Sequence, residues 1–254
     1  MRPQDLEPEL DELLLRIVPD LGSQWRGATE HEIDQIEQIA GRPLPRFYRW
    51  FLMRMGHDMG PIEYRSMIFS APTVLQCYAE RLFVPHPRFL MIAYETDEMM
   101  PLHLLYDFNF PARDDARVIK GHALGGEGHP QFETFREMFA WGEVGARSVE
   151  SRAQKIVCSL SDPGGDVLAH LDPVMKSLGF EAPISTGPRC GVYHRADAGL
   201  VSFATVTRPS NGPGACYHIF HLGANDHARI RQILGEIVAE TPLELEIEEW
   251  DPPL

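Results

Sequence analysis

Between residues 25 and 56, apolar residues recur every three or four positions, a spacing that predicts two consecutive amphipathic helices. Thr29 and Glu32 form a capping-box pattern at the start of the first helix, because each side chain can satisfy a free backbone N–H of the other. Gly41 suits the left-handed residue that ends a helix, and Leu44-Pro45 opens the second one. The residues predicted to face inward are Ile33, Ile36, Ala40, Phe47, Trp50, Phe51 and Met55.

Short apolar runs after this helical pair predict strands. Residues 88–94 (RFLMIAY) are almost uninterruptedly apolar, which is typical of a strand buried on both faces. A polar turn at 95–98 separates this strand from a return strand at 102–108. The other elements predicted in the first part are helices at 5–17 and 72–83, strands at 62–69 and 117–120, and an aromatic-rich helix at 132–139.

The hydrophobic pattern lapses between Gly142 and Gln154, where small and charged residues dominate as in a linker. This lapse predicts two domains, 1–147 and 148–254. The second domain is predicted to have the element order βαββαβ. This is the ferredoxin-like arrangement, with two helices on one side of an antiparallel sheet. Its last strand, at 243–249 (LELEIEE), alternates apolar and acidic residues, which predicts one solvent-exposed face.

Composition narrows the class of protein. The formal net charge of −14 argues against a nucleic-acid binder and favours basic protein partners. No apolar run reaches the length of a membrane span, and the acidic start lacks the pattern of a secretory signal, which predicts a cytoplasmic protein. The four scattered cysteines predict reduced, mostly buried thiols: Cys77, Cys158, Cys190 and Cys216.

Candidate chemistry is weak throughout the chain. The glycine-rich stretch 121–128 lacks the Gly-Lys-Ser/Thr ending of a phosphate loop and favours a surface loop. Cys216, His218 and His221 could suggest zinc, but positions 218 and 221 of a strand point to opposite faces. No Gly-x-Ser-x-Gly motif is present, and adjacent carboxylates in an extended chain project apart. The sequence therefore predicts no catalytic, cofactor-binding or metal-ligating residue, and thus no enzyme.

The stretch from residue 25 to 56 resembles the signature of the SUKH superfamily, which includes a fungal cell-wall assembly regulator and bacterial immunity proteins that neutralise toxins. The likeness weakens towards residue 141 and is absent after residue 150. It implies an N-terminal domain of helices packed on a mostly antiparallel sheet, and so an α+β protein overall. The residues that carry the resemblance, expected to be mostly structural, are Trp25, Gly27, Ala28, Thr29, Ile33, Glu37, Gly41, Leu44, Pro45, Tyr48, Phe51, Leu52 and Gly56.

The leading hypothesis is therefore a non-enzymatic immunity protein that binds a cognate toxin, with a basic nuclease the best match for an acidic surface. One alternative is a regulatory scaffold that binds several host proteins. Another is an enzyme, which would need a pocket of convergent polar groups near His194, His218 or His221. The carboxylates expected to form the partner-binding patch are Glu95, Asp97, Glu98, Asp107, Asp114 and Asp115.

Overall fold

Two five-stranded antiparallel sheets, each with its own helices, make this an α+β protein. The computed structural model describes residues 3–99, 101–123, 128–162, 165–205 and 216–251. The chain divides into two compact units, residues 1–138 and 139–254. This division falls earlier in the chain than the boundary predicted after residue 147.

The helices of the first unit follow the local signals in the sequence. Thr29 Oγ1 accepts a hydrogen bond from the Glu32 N–H at 3.3 Å, and Glu32 Oε2 accepts one from the Thr29 N–H at 2.8 Å, so the predicted capping box is confirmed. Gly41 ends this helix with a φ of 64°. The helices are α1 Pro8–Ile17, α2 Leu21–Gln24, α3 Glu30–Ala40, α4 Arg46–Met55, α5 Ala71–Ala79 and α6 Phe135–Val144, the last of which crosses the division between the units.

The first sheet has the strands in chain order, with every neighbouring pair antiparallel. Its strands are β1 Met67–Ile68, β2 Phe89–Glu95, β3 His103–Ala112, β4 Asp115–Gly121 and β5 His129–Phe132. Arg113 and Asp114 form the two-residue turn between β3 and β4, with φ angles of 48° and 58°. Two consecutive positive φ values are typical of a tight hairpin turn, which extends both strands beyond their predicted ends.

An aromatic cluster joins α4 to this sheet. The rings of Tyr48 and Tyr106 meet edge to face at 5.5 Å, and Phe135 packs against both Phe51 and Phe69. Leu52 is fully buried beside them. The predicted inward positions 33, 36, 40, 47, 50, 51 and 55 are therefore confirmed, and positions 44, 48 and 52 of the signature are buried as well.

Trp25, a signature residue expected to be structural, is only half-buried. The guanidinium of Arg54 lies 4.9 Å from the centre of its ring, in a cation–π contact. Nearby, a Cβ on Gly27 would lie 2.1 Å from the Met53 carbonyl oxygen. Glycine is needed there because the backbones approach so closely.

In the second unit, the residues that the structure describes form five strands and two further helices. They are β6 Gln154–Asp162, α7 Val167–Ser177, β7 Cys190–Arg195, β8 Ala198–Thr205, β9 Cys216–Ala224, α8 His227–Glu240 and β10 Glu244–Asp251. The strand order is β10-β6-β9-β8-β7. Among the described residues, three strands lie between α7 and α8, whereas the predicted βαββαβ order has two there.

The predicted linker between Gly142 and Gln154 is wrong. Residues 145–150 form a π-helical segment in which Gly145, Ser148 and Val149 are buried. A Cβ on Gly223 of β9 would lie 2.4 Å from the Val149 carbonyl oxygen, which shows how closely the segment packs on the sheet. The small residues of this segment permit the close approach to the sheet. In the sequence, the same small residues had indicated an exposed linker.

Candidate functional site

The structure places the six carboxylates of the predicted patch in two different environments. Asp97, Glu98 and Asp114 are exposed. Glu95, Asp107 and Asp115 are each at most 6% exposed. Buried carboxylates cannot contact a partner directly, so only the first three remain candidates for that role.

Asp107 is a structural ion-pair partner. Its Oδ1 and Oδ2 atoms accept hydrogen bonds from Arg88 Nε and Nη2, both at 2.7 Å. Burial acts to raise the pKa of Asp107, but the Arg88 guanidinium and the Asn109 N–H together hold that pKa below its usual value. In the antiparallel pair β2–β3, Asp107 lies opposite Phe89, the residue that follows Arg88. Pairing of the two predicted strands would therefore have placed Arg88 and Asp107 near each other.

Asp115 lies at the amino end of α6, where its Oδ2 accepts a hydrogen bond from the Arg136 N–H at 3.0 Å. Burial raises the pKa of Asp115 to about 6, and the backbone donors at this helix end only partly oppose that effect. Asp115 therefore anchors α6 to β4 and takes no part in a surface patch.

The turn after β2 is held in a fixed conformation by its own polar groups. Glu95 Oε1 accepts the Asp97 N–H at 3.0 Å, and Asp97 Oδ1 accepts the Met99 N–H at 2.9 Å. The Thr96 N–H donates to the Ser66 carbonyl oxygen at 2.8 Å, which ties the turn to the chain just before β1. Glu95 thus positions the turn instead of meeting a partner.

The same turn presents an unusual side chain to solvent. Met99 is 90% exposed and directly follows the exposed carboxylates of Asp97 and Glu98. Ile68, on the edge strand β1, is 41% exposed, and β1 pairs with the end of β2 that leads into the turn. We call the side chains of Ile68, Thr96, Asp97, Glu98 and Met99 the turn surface. Sequence reasoning found its charges but missed its two apolar members.

Three histidines of the second unit were considered as possible catalytic groups. His218 and His221 point to opposite faces of β9, as their spacing predicted. His218 is buried, its Nδ1 lies 3.4 Å from Ser202 Oγ, and burial lowers its pKa to about 4. His194 Nδ1 lies 2.8 Å from the buried Ser148 Oγ.

A polar hollow of about 220 Å³ is lined in part by His221, but by neither His194 nor His218. Lys155 in its wall lies 2.9 Å from Asp251 and 3.8 Å from Glu150. Lys155 is therefore paired with two carboxylates of the same hollow. Burial lowers the pKa of His221.

Cys77, Cys158 and Cys190 are buried free thiols, as predicted. Burial raises the pKa of Cys158 to about 12, which makes its thiol a poor nucleophile near neutral pH. The side chain of Cys216 lies outside the described residues, as do positions 124–127 of the glycine-rich stretch. Within the described ranges, no group of three or more histidine, cysteine or acidic side chains is placed to hold a metal ion.

Among the helices that the structure describes, none combines the length and apolarity needed to cross a membrane. The chain matches no protein-family model and no curated protein.

Proposed function

We propose that this protein is a non-enzymatic immunity protein that binds and neutralises a cognate toxin through the turn surface. The observation that carries the proposal is Met99, a flexible apolar side chain that is 90% exposed beside two exposed carboxylates on a hydrogen-bonded turn. An exposed apolar side chain on an ordered turn provides an anchor whose backbone loses little entropy on binding. Methionine adapts its shape to irregular partner surfaces.

The charges on the turn surface indicate the kind of partner. Asp97 and Glu98 flank the anchor, in a chain whose formal net charge is −14. Carboxylates around an apolar contact steer a positively charged protein into place and raise its association rate. A nuclease toxin fits this requirement, since its own nucleic-acid site must be basic.

The fold of the first unit supports a SUKH-like identity for this proposal. After α3 and α4 the order is β1, α5, β2, an acidic turn, β3, β4, β5 and α6, which contains the strand, acidic turn, two strands and late aromatic helix that the resemblance implies. For the second unit, we propose a ferredoxin-like architecture enlarged by one strand, in which α7 and α8 pack on the sheet through one shared apolar core. Neither architecture by itself specifies a binding partner.

The test looks for a secreted toxin encoded beside this gene and uses it in a pull-down, followed by rescue of cells that express it. Wild type should bind and rescue. Met99→Ala should weaken binding, whereas Leu15→Ala, which removes an apolar side chain that is 49% exposed on α1, should not. Weak binding to several host proteins without rescue would favour the scaffold alternative, and equal effects of the two substitutions would contradict the assignment of the turn surface.

A further inference from the structure

A cavity of about 340 Å³ lies between the chain that follows α5 and one face of the first sheet. Its buried lining is apolar: Phe83, Met91, Leu105 and Ile119 are each at most 7% exposed. Sites for small molecules typically have this size and this predominantly apolar lining. The cavity is distinct from the turn surface, none of whose residues line it.

The solvent-exposed polar side chains that line the cavity all carry nitrogen groups. They are the guanidinium of Arg81 and the imidazoles of His86 and His122. None of the described lining residues is a carboxylate, although the chain has 37 acidic residues against 23 lysines and arginines. An apolar interior whose entrance carries a guanidinium and two imidazoles fits a ligand that has an apolar body and a negatively charged end.

Arg81 occupies a position where a glycine would be expected. It follows the carboxyl end of α5 with a φ of 60°, and its N–H donates to the Tyr78 carbonyl oxygen at 3.1 Å. A left-handed residue after a helix is usually glycine, because any other side chain adds steric strain. The guanidinium of Arg81 makes no hydrogen bond or ion pair with the described part of the chain. The strained arginine is therefore not explained by local packing.

The His86 side chain, another group at the entrance, is held in place by its neighbours. Its Nδ1 accepts the Arg88 N–H at 3.1 Å, and its ring stacks on Phe89 with the ring centres 5.3 Å apart. This arrangement leaves Nε2 of His86 available for a ligand atom. Tyr78 adds a hydroxyl to the lining, where its oxygen accepts the Met91 N–H at 3.0 Å.

We propose that this cavity binds a small organic carboxylate with an aliphatic body, whose carboxylate is held by Arg81. The apolar chain would occupy the space beside Met91, Leu105 and Ile119. Charge-assisted pairing with a guanidinium distinguishes a carboxylate from an alcohol of equal length.

Calorimetric titration of the full chain with octanoate tests this proposal. Octan-1-ol and octylammonium are matched probes, since they keep the aliphatic body and change only the polar end. Octanoate should bind about fivefold to tenfold more tightly than octan-1-ol, and octylammonium should bind most weakly. Absence of octanoate binding, or equal affinities for octanoate and octylammonium, would overturn the proposal.

Arg81→Gly is the decisive variant, because glycine relieves the strained backbone while it removes the guanidinium. It should fold at least as stably as wild type and bind octanoate no better than octan-1-ol. Arg81→Lys should retain part of the preference for octanoate. Ala123→Leu, which adds bulk to the lining, should weaken all aliphatic probes together. Unchanged octanoate affinity in Arg81→Gly would refute the role of Arg81, and the toxin-binding proposal would stand or fall separately.

Discussion

Glu143 in α6 provides a pH-dependent contribution to stability that can be measured directly. The side chain is 4% exposed, and its Oε2 finds no hydrogen-bond partner among the described residues. The nearest cation is Arg147, whose Nε lies 3.9 Å from this oxygen. Burial raises the pKa of Glu143 to about 7 from an ordinary value of 4.5, and Arg147 only partly opposes this effect.

The direction of the effect on stability follows from this raised pKa. The folded protein retains the proton of Glu143 to a higher pH than the unfolded chain does, so stability is lost as pH rises from about 4.5 to about 7. Each pH unit of difference between the two pKa values corresponds to about 1.4 kcal/mol. The ionised carboxylate therefore destabilises the protein by about 3 kcal/mol at pH 8, of which about 2 to 3 kcal/mol appears between pH 5 and pH 8.

The assay compares urea unfolding of wild type and Glu143→Gln at pH 5 and pH 8. Other titrating groups, such as Asp115 and His218, contribute equally to both proteins and cancel in the difference. Between pH 5 and pH 8, the free energy of unfolding of wild type should fall because Glu143 ionises. In Glu143→Gln this fall should be smaller by about 2 to 3 kcal/mol. Glu236→Gln, an exposed glutamate of α8, should show the wild-type pH dependence. Identical pH dependence in Glu143→Gln and wild type would refute the reasoning.

Three further substitutions test the packing and the buried charges. Leu52→Ala should lower the free energy of unfolding by about 2–5 kcal/mol because Leu52 is fully buried, and a loss below about 0.5 kcal/mol would contradict its place in the core. Asp107→Asn should lower it by about 1–3 kcal/mol because the bidentate pair with Arg88 is lost, and an unchanged urea midpoint would refute that pairing. Gly223→Ala should cost about 1–3 kcal/mol, since the added Cβ meets the Val149 carbonyl, and a stabilised variant would show that the π-helical segment packs elsewhere.

The elements that the sequence predicted correctly are those with local signals. The capping box of Thr29 and the left-handed Gly41 each depend on residues within one helical turn, so α3 could be placed from its own sequence. The strand β5 carries two exposed and two half-buried residues and includes a proline, and it has no such signal. It forms because β4 offers a free edge, which is a property of the folded sheet.

The burial of carboxylates could not be read from neighbouring residues. Asp114 and Asp115 are adjacent, yet the first is exposed in a turn and the second is buried at the start of α6. The difference arises because Arg136, distant in the sequence, supplies a backbone donor to Asp115. The charges of the candidate site were thus visible in the sequence, while their environments depend on tertiary contacts.

The apolar part of the turn surface was missed for a related reason. Met99 lies in a polar stretch, where a single apolar residue is compatible with either burial or exposure. Only the hydrogen bonds of Glu95 and Asp97 fix the turn so that Met99 faces solvent. The arginine after α5 was overlooked because its positive φ is a backbone property that side-chain patterns do not report.

The most direct test of the toxin-binding proposal is the rate at which the cognate toxin associates with this protein, measured by stopped-flow fluorescence at low and high salt. Asp97→Asn with Glu98→Gln should slow association and reduce its salt dependence, because two steering charges are lost. The control, Glu12→Gln with Asp34→Asn, removes two exposed carboxylates from α1 and α3 and should leave the rate near that of wild type. If both double variants changed the rate equally, or neither changed it, the turn surface would not be where the toxin binds.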